Sequence, residues 1–134
     1  MKTMKNHRRK NRGAVVVEMA ITLPIFFLFT FACVEFARMN VIRHTIDNAA
    51  YEAARRAIVP GSTAADAEAV ARSIMGTVGA NGVDVVVNPA VIRLDTPQVI
   101  VDVTVDCDAN GFIAPIFFSG KQLNGRATLR RETL

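Results

Sequence analysis

The chain has few of the residues from which catalytic and metal sites are most often built. Its 134 residues include only two histidines, and no glycine-rich phosphate-binding loop interrupts the sequence. His7 lies in the N-terminal tail, and His44 lies on the far side of a long apolar run. The two can therefore join neither a metal cluster nor a Ser/His/Asp or Cys/His set on one side of a membrane. We expect no enzymatic activity, no metal and no cofactor.

Cysteine is scarce as well, with two residues in the whole chain. Cys33 falls inside the apolar run and Cys107 lies far beyond it, so we expect no intrachain disulfide. Both are interpreted as small, buried apolar side chains.

Acidic residues are missing from the first twelve positions, which carry six lysines and arginines. The remaining residues hold ten basic against twelve acidic side chains, so the net charge of +4 is the property of a short tail. A basic tail directly before a hydrophobic span is explained by the positive-inside rule. No aromatic-basic surface or reader motif follows it, so we expect no nucleic-acid partner.

The apolar run from Ala14 to Val34 has the length of a membrane span. Twenty-one helical residues extend about 31 Å, close to the thickness of the hydrocarbon core of a bilayer. We therefore predict a basic cytoplasmic leader over 1–13, a transmembrane helix over 14–37, and an extracytoplasmic domain over 38–134. A cleaved secretory signal is the competing interpretation, but the run does not end in a small-x-small pair. A plain signal-anchor helix explains the basic tail and the apolar run, but it does not explain Gly13 and Glu18 at their spacing.

Glu18 is an acid inside this otherwise apolar run. A carboxylate at such a position costs roughly 2.5–3.5 kcal/mol on insertion scales. A protonated carboxyl, or one near the headgroups, would reduce that cost. Cleavage after Gly13 would instead make Ala14 a free ammonium, and Glu18 of one subunit would pair with Ala14 of a neighbour. The buried acid would then be neutralised only on assembly.

The helical pattern continues beyond the membrane to about residue 58, because Pro60-Gly61 disfavours a longer helix. Small and apolar residues recur there at steps of three and four and form one stripe. We call them the packing stripe: Met39, Ile42, Ile46, Ala49, Ala50, Ala53 and Ala57.

The remainder predicts a second helix and then strands. Thr63-Ala64-Ala65-Asp66 resembles a capping box before a helix that ends within the glycine-rich stretch 76–82. Strands are predicted over 83–88, 99–105 and 123–131, with a short optional strand at 91–94. A helix followed by clustered strands indicates an α+β fold, in which an antiparallel sheet of three or four strands packs on the packing stripe.

Three local motifs receive structural interpretations. Residues 106–113 match the first half of an EF-hand loop, but Phe117 stands where the bidentate Glu is needed, so we interpret the motif as a turn. The apolar loop 111–118 is interpreted as a lid over the core, with contact to the membrane or another subunit as the alternative. Glu35 and Arg38 are interpreted as a pair on one helix face.

Arg12-Gly13 followed by Ala14-Val15-Val16-Val17-Glu18 resembles the type IV prepilin signature. The stretches 34–38 and 48–55, and the ending 127–132, resemble the TadE-like family of pseudopilins. The combination of the signature with the second stretch is more specific than either alone.

This resemblance implies a minor or initiating subunit of a Tad (tight adherence) pilus or a related secretion apparatus. It implies cleavage between Gly13 and Ala14 by a prepilin peptidase, and insertion in the cytoplasmic membrane with the C-terminal domain outside. The implied partners are the peptidase, other pilus or pseudopilus subunits and the lipid bilayer. A bitopic anchor that binds an unrelated envelope partner without processing is the alternative, and a secreted protein is a more distant one.

Overall fold

The computed structural model describes residues 10–111 and 117–131, with side chains described from Gly13 onward. The chain divides between Val34 and Glu35 into two compact units. The described residues form an α+β fold, as the sequence predicted. Its elements are helix α1 (Lys10–Ala57), helix α2 (Ala64–Thr77), strands β1 (Val83–Asn88), β2 (Gln98–Asp106) and β3 (Gln122–Arg130), and a short 3₁₀ helix (Asp108–Asn110).

Helix α1 begins at Lys10, four residues before the predicted start at Ala14. Lysine and arginine are good helix formers, and Gly13 costs only about 1 kcal/mol relative to alanine, so nothing stops the helix at the predicted cleavage position. At the other end α1 stops at Ala57, just before Pro60, as predicted. Residues 1–9 of the predicted leader lie outside the described residues.

Helix α2 begins with the predicted capping box. The Thr63 hydroxyl accepts a hydrogen bond from the backbone N–H of Asp66 at 3.2 Å, and the Asp66 carboxylate accepts one from the backbone N–H of Thr63 at 2.8 Å. These bonds, led by that from the Thr63 backbone, hold the pKa of Asp66 below its ordinary value. The helix ends in a Schellman motif, since Gly79 has a φ of 60° and the N–H of Ala80 donates to the carbonyl of Met75.

The three strands form one antiparallel sheet in the order β1-β2-β3. Val85 pairs with Val103 in β2, and Val101 pairs with Ala127 in β3. Along β2 buried and half-buried residues alternate without exception, which is the pattern that the sequence predicted for a half-buried strand.

The optional strand at 91–94 was wrong, because this segment is a turn between β1 and β2. The backbone N–H of Arg93 donates to the Thr96 hydroxyl at 2.9 Å, and the N–H of Thr96 donates to the Arg93 carbonyl. Such a side-chain-closed turn gives the backbone partners that a strand would have sought in a sheet. Arg131 then donates to the carbonyls of Arg93 and Leu94 and keeps the turn against the end of β3.

The core of the C-terminal unit lies between α1, α2 and the inner face of the sheet. Its buried members include the seven residues of the packing stripe, Ala67, Ala71 and Met75 of α2, and the inward valines of β1 and β2. Strand β3 lies close to α1 at Gly125, where an added Cβ would lie 2.6 Å from Cγ2 of Ile46. Only glycine allows this separation, so Gly125 sets the spacing between the sheet and the helix.

Candidate assembly site

The N-terminal part of α1 is long and apolar enough to cross a membrane. Its most apolar window has a mean hydropathy of 2.2, and none of that window is buried by the protein. The exposed side chains include bulky aromatics, such as Phe26 at 60% and Phe29 at 68% exposure. Side chains of this size and apolarity match lipid rather than water, so this segment fits a membrane anchor.

Gly13, Ala14 and Glu18 are helical and exposed in the same unit. Ala14 and Glu18 are separated by one turn of α1, about 6 Å along the axis. The backbone carbonyl of Glu18 accepts a hydrogen bond from the Thr22 hydroxyl at 2.8 Å, so that hydroxyl is satisfied within its own helix. The Glu18 carboxylate projects from the helix surface, where a group on another subunit can reach it.

The packing stripe, by contrast, is covered by the C-terminal unit itself. Met39 is 3% exposed and Ile46 is 1% exposed, while the other five residues of the stripe have no exposed surface. This face therefore supports the sheet and α2 within one chain. A subunit that contacted α1 would have to use a different face of the helix.

Glu35 continues the packing stripe, since it lies four residues before Met39 and is 5% exposed. Its Oε1 accepts hydrogen bonds from the backbone N–H groups of Phe117 at 3.1 Å and Phe118 at 3.2 Å. A buried carboxylate is stabilised by such charge-assisted bonds. The sequence analysis did not assign Glu35 to the buried face. The i, i+4 spacing to Met39 could have placed it there, but no sequence signal marked its partners 82 and 83 residues away.

Arg38 contacts the C-terminal end of α2. Its guanidinium donates to the carbonyls of Val78 at 2.6 Å and Gly79 at 2.9 Å. A cation at this position satisfies the carbonyls that follow the helix and interacts favourably with the helix dipole. The sequence interpreted Glu35 and Arg38 as partners of each other, whereas the structure gives each of them contacts with a different, distant segment.

Phe36 contacts the loop before β3. Its ring lies 5.0 Å from that of Phe118 in an edge-to-face arrangement and 6.1 Å from that of Phe117. Phe118 is partly buried against the core, which agrees with a lid, whereas Phe117 is 39% exposed. Residues 112–116 of the predicted lid lie outside the described residues.

The EF-hand-like segment is a structural turn. Asp106 accepts the backbone N–H of Asp108, the Asp108 carboxylate accepts the N–H of Gly120 at 2.9 Å, and the Asn110 side chain bonds the backbone of Asn81. The polar side chains thus hold backbone groups of the fold. No cluster of three or more His, Cys, Asp or Glu residues with metal-binding geometry occurs among the described residues.

Both cysteines are free thiols. Cys107 is buried as predicted, but Cys33 is exposed on α1. The expectation of burial within the protein was therefore wrong for Cys33. Burial raises the pKa of the Cys107 thiol, and the neighbouring carboxylates of Asp106 and Asp108 raise this pKa further. Cys107 is therefore a packing residue rather than a nucleophile.

Comparisons with known proteins connect this helix to one family. Residues 13–55 match the family model described as TadE-like protein. The match covers less than half of the chain and includes the apolar segment, Glu18 and most of the packing stripe. Searches of curated proteins and of solved structures gave no match. Residues 13–55 are thus a TadE-like segment, which confirms the family resemblance predicted from the sequence.

Proposed function

We propose that this protein is a membrane-anchored minor pseudopilin that takes part in assembling a Tad-type pilus or a related secretion apparatus. It resides in the cytoplasmic membrane as a single-pass protein, with its N-terminus in the cytoplasm and the C-terminal unit outside. A prepilin peptidase cleaves between Gly13 and Ala14. The new ammonium of a neighbouring subunit then neutralises Glu18 during assembly.

The observation that carries this proposal is the TadE-like match over 13–55, which includes the glycine, the acid and the helix that supports the sheet. Two features of the structure support it. Glu18 is exposed on an apolar helix, so the insertion cost of its charge calls for a partner outside this chain. The packing stripe is used within the chain, which leaves the remaining surface of α1 for other subunits.

Helix α1 runs through the proposed cleavage site, and cleavage requires that this end be opened. Gly13 is the weakest helix former there, and its position near the helix start leaves few hydrogen bonds to break. We therefore expect the first turn of α1 to unwind in the peptidase without disturbing the rest of the helix.

Mass measurement of the protein extracted from membranes of piliated cells tests the proposal. The expected chain begins at Ala14. In the matched control Gly13→Val, the bulkier residue blocks the peptidase, and the protein is expected to keep residues 1–13. A membrane-bound chain that retains residues 1–13 in normally piliated cells would contradict processing and favour a plain anchor. A soluble form that begins beyond residue 35 would favour secretion.

A further inference from the structure

A cluster of aromatic side chains lies at the start of the C-terminal unit, directly after the apolar run. We call it the aromatic platform. It consists of three phenylalanines and of the lysine whose ammonium lies over one of their rings: Phe36, Phe117, Phe118 and Lys121. Phe36 follows Val34, the last residue of the apolar run, by two positions. Two residues of backbone reach at most about 7 Å, so Phe36 stays near the membrane surface however the two units are arranged.

The other members of the platform are brought to the same level by contact with Phe36. The rings of Phe118 and Phe117 lie 5.0 Å and 6.1 Å from that of Phe36. The Lys121 ammonium lies 5.6 Å from the centre of the Phe118 ring. Residues more than 80 positions apart in sequence are thereby placed at the point where the chain leaves the lipid.

Hydrogen bonds hold the platform in this position from several sides. The Glu35 carboxylate accepts the backbone N–H groups of Phe117 and Phe118, and the N–H of Lys121 donates to the Phe118 carbonyl. At the other end the Lys121 carbonyl accepts the N–H of Cys107. A surface ordered in advance loses little conformational entropy when it binds.

The platform leaves large apolar groups uncovered. Phe36 is 54% exposed and Phe117 is 39% exposed. A cleft of about 290 Å³ beside them is lined by Phe36, Met39, Asn40, Arg43, Phe118 and Leu123, so that a second cation borders the same surface. Exposed rings next to cations suit the boundary region of a bilayer, because the rings can contact acyl chains while the cations face anionic headgroups.

We propose that the aromatic platform binds the interfacial layer of the bilayer that α1 crosses. The rings of Phe36 and Phe117 insert at the level of the headgroups, and Lys121 faces the lipid phosphates. Lipid is the occupant because the platform is continuous along the chain with the membrane-spanning segment and carries cations. The contact fixes the orientation of the C-terminal unit on the membrane surface. It requires the anchor but not cleavage, so it is separable from the proposed processing.

Tryptophan substitution tests this contact directly, because the chain contains no native tryptophan. The full-length, uncleaved protein is reconstituted in phosphatidylcholine vesicles that contain some phosphatidylglycerol, with bromine on the upper acyl chain. Phe117→Trp is the test variant and Phe36→Trp is the positive control, since position 36 lies near the lipid through the backbone alone. Leu94→Trp is the negative control, because Leu94 is 78% exposed in the turn that Arg131 ties to the far end of α1.

We expect brominated lipid to reduce the emission of Phe117→Trp by about half, close to the value for Phe36→Trp, and to leave Leu94→Trp nearly unchanged. Quenching of Phe117→Trp no greater than that of Leu94→Trp would overturn the proposal. So would a Phe117→Trp signal that is shielded from aqueous acrylamide but not quenched by the lipid, since a protein partner would then cover the platform. Circular dichroism equal to that of the parent protein confirms that each variant is folded.

Discussion

Replacement of Glu18 by alanine is expected to abolish filament production while membrane insertion stays intact. Insertion becomes easier, because the cost of roughly 2.5–3.5 kcal/mol for the acid disappears. Assembly becomes harder, because the ammonium of the neighbouring subunit loses its partner in a medium of low dielectric constant. Removing one member of a buried pair typically costs 3–5 kcal/mol, which is roughly a hundredfold or more in an association constant. Electron microscopy of surface filaments and extraction of membranes at high pH measure the two effects separately.

Two further variants test whether the charge of Glu18 is what filament production requires. Glu18→Gln keeps the size and hydrogen-bonding capacity of the side chain but removes its charge, so it is expected to fail like alanine. Thr22→Ala removes the hydroxyl that donates to the Glu18 carbonyl without changing any charge, and filament production is expected to remain normal. Normal piliation in Glu18→Ala would remove the role assigned to this residue.

The second large effect is expected at Gly125, where valine should destabilise the C-terminal unit by about 2 kcal/mol. A Cβ at this position would lie 2.6 Å from Cγ2 of Ile46 and 2.8 Å from Oδ1 of Asp47. The Ile46 methyl is on a β-branched side chain with a restricted χ1 angle in a helix, so it cannot turn away. Valine is a better strand former than glycine by about 1 kcal/mol, but overpacking of a tight core costs about 1–3 kcal/mol or more, and we expect the clash to dominate.

Gly76→Ala is the matched control for this substitution. Gly76 lies in α2, and nothing stands within 4 Å of the position that a Cβ would take. Alanine there should stabilise the unit by about 0.5–1 kcal/mol. Pulse proteolysis in urea of the full chain in detergent micelles measures both changes. An unfolding midpoint of Gly125→Val at or above that of the parent protein would contradict this prediction. It would show that β3 can move away from α1 without a loss of stability.

Features encoded within a few neighbouring residues could be predicted from the sequence. The capping box at Thr63 and Asp66 is a local exchange of hydrogen bonds, and the alternation in 99–105 reports one buried face directly. The packing stripe was visible for the same reason, because its period of three to four residues is set by the helix itself. The prediction of a strand at 91–94 was wrong because a short, largely apolar segment fits either a strand or a turn. The hydrogen bond from the Arg93 N–H to the Thr96 hydroxyl favours the turn.

Contacts between distant segments left no such local signal. The partners of Glu35 are backbone amides, which every residue except proline carries, so no side chain in the sequence identifies them. Arg38 likewise bonds carbonyls at the end of α2. The need for glycine at 125 depends on the distance between β3 and Ile46, which only the packed fold defines.

The pairing of Glu18 with a new N-terminal amine can be tested most directly by zero-length cross-linking of assembled material in membranes. Dicyclohexylcarbodiimide partitions into lipid and activates a carboxyl group, which an adjacent amine then attacks to form an amide. The carbodiimide leaves as dicyclohexylurea, which carries the elements of the water removed. Digestion with trypsin should release residues 14–38 as one peptide, because no lysine or arginine lies between Ala14 and Arg38. The account predicts that Glu18 of this peptide is joined to the N-terminal residue of a second subunit. A single peptide linked within itself, or a Glu18 that forms no amide in assembled material, would contradict it.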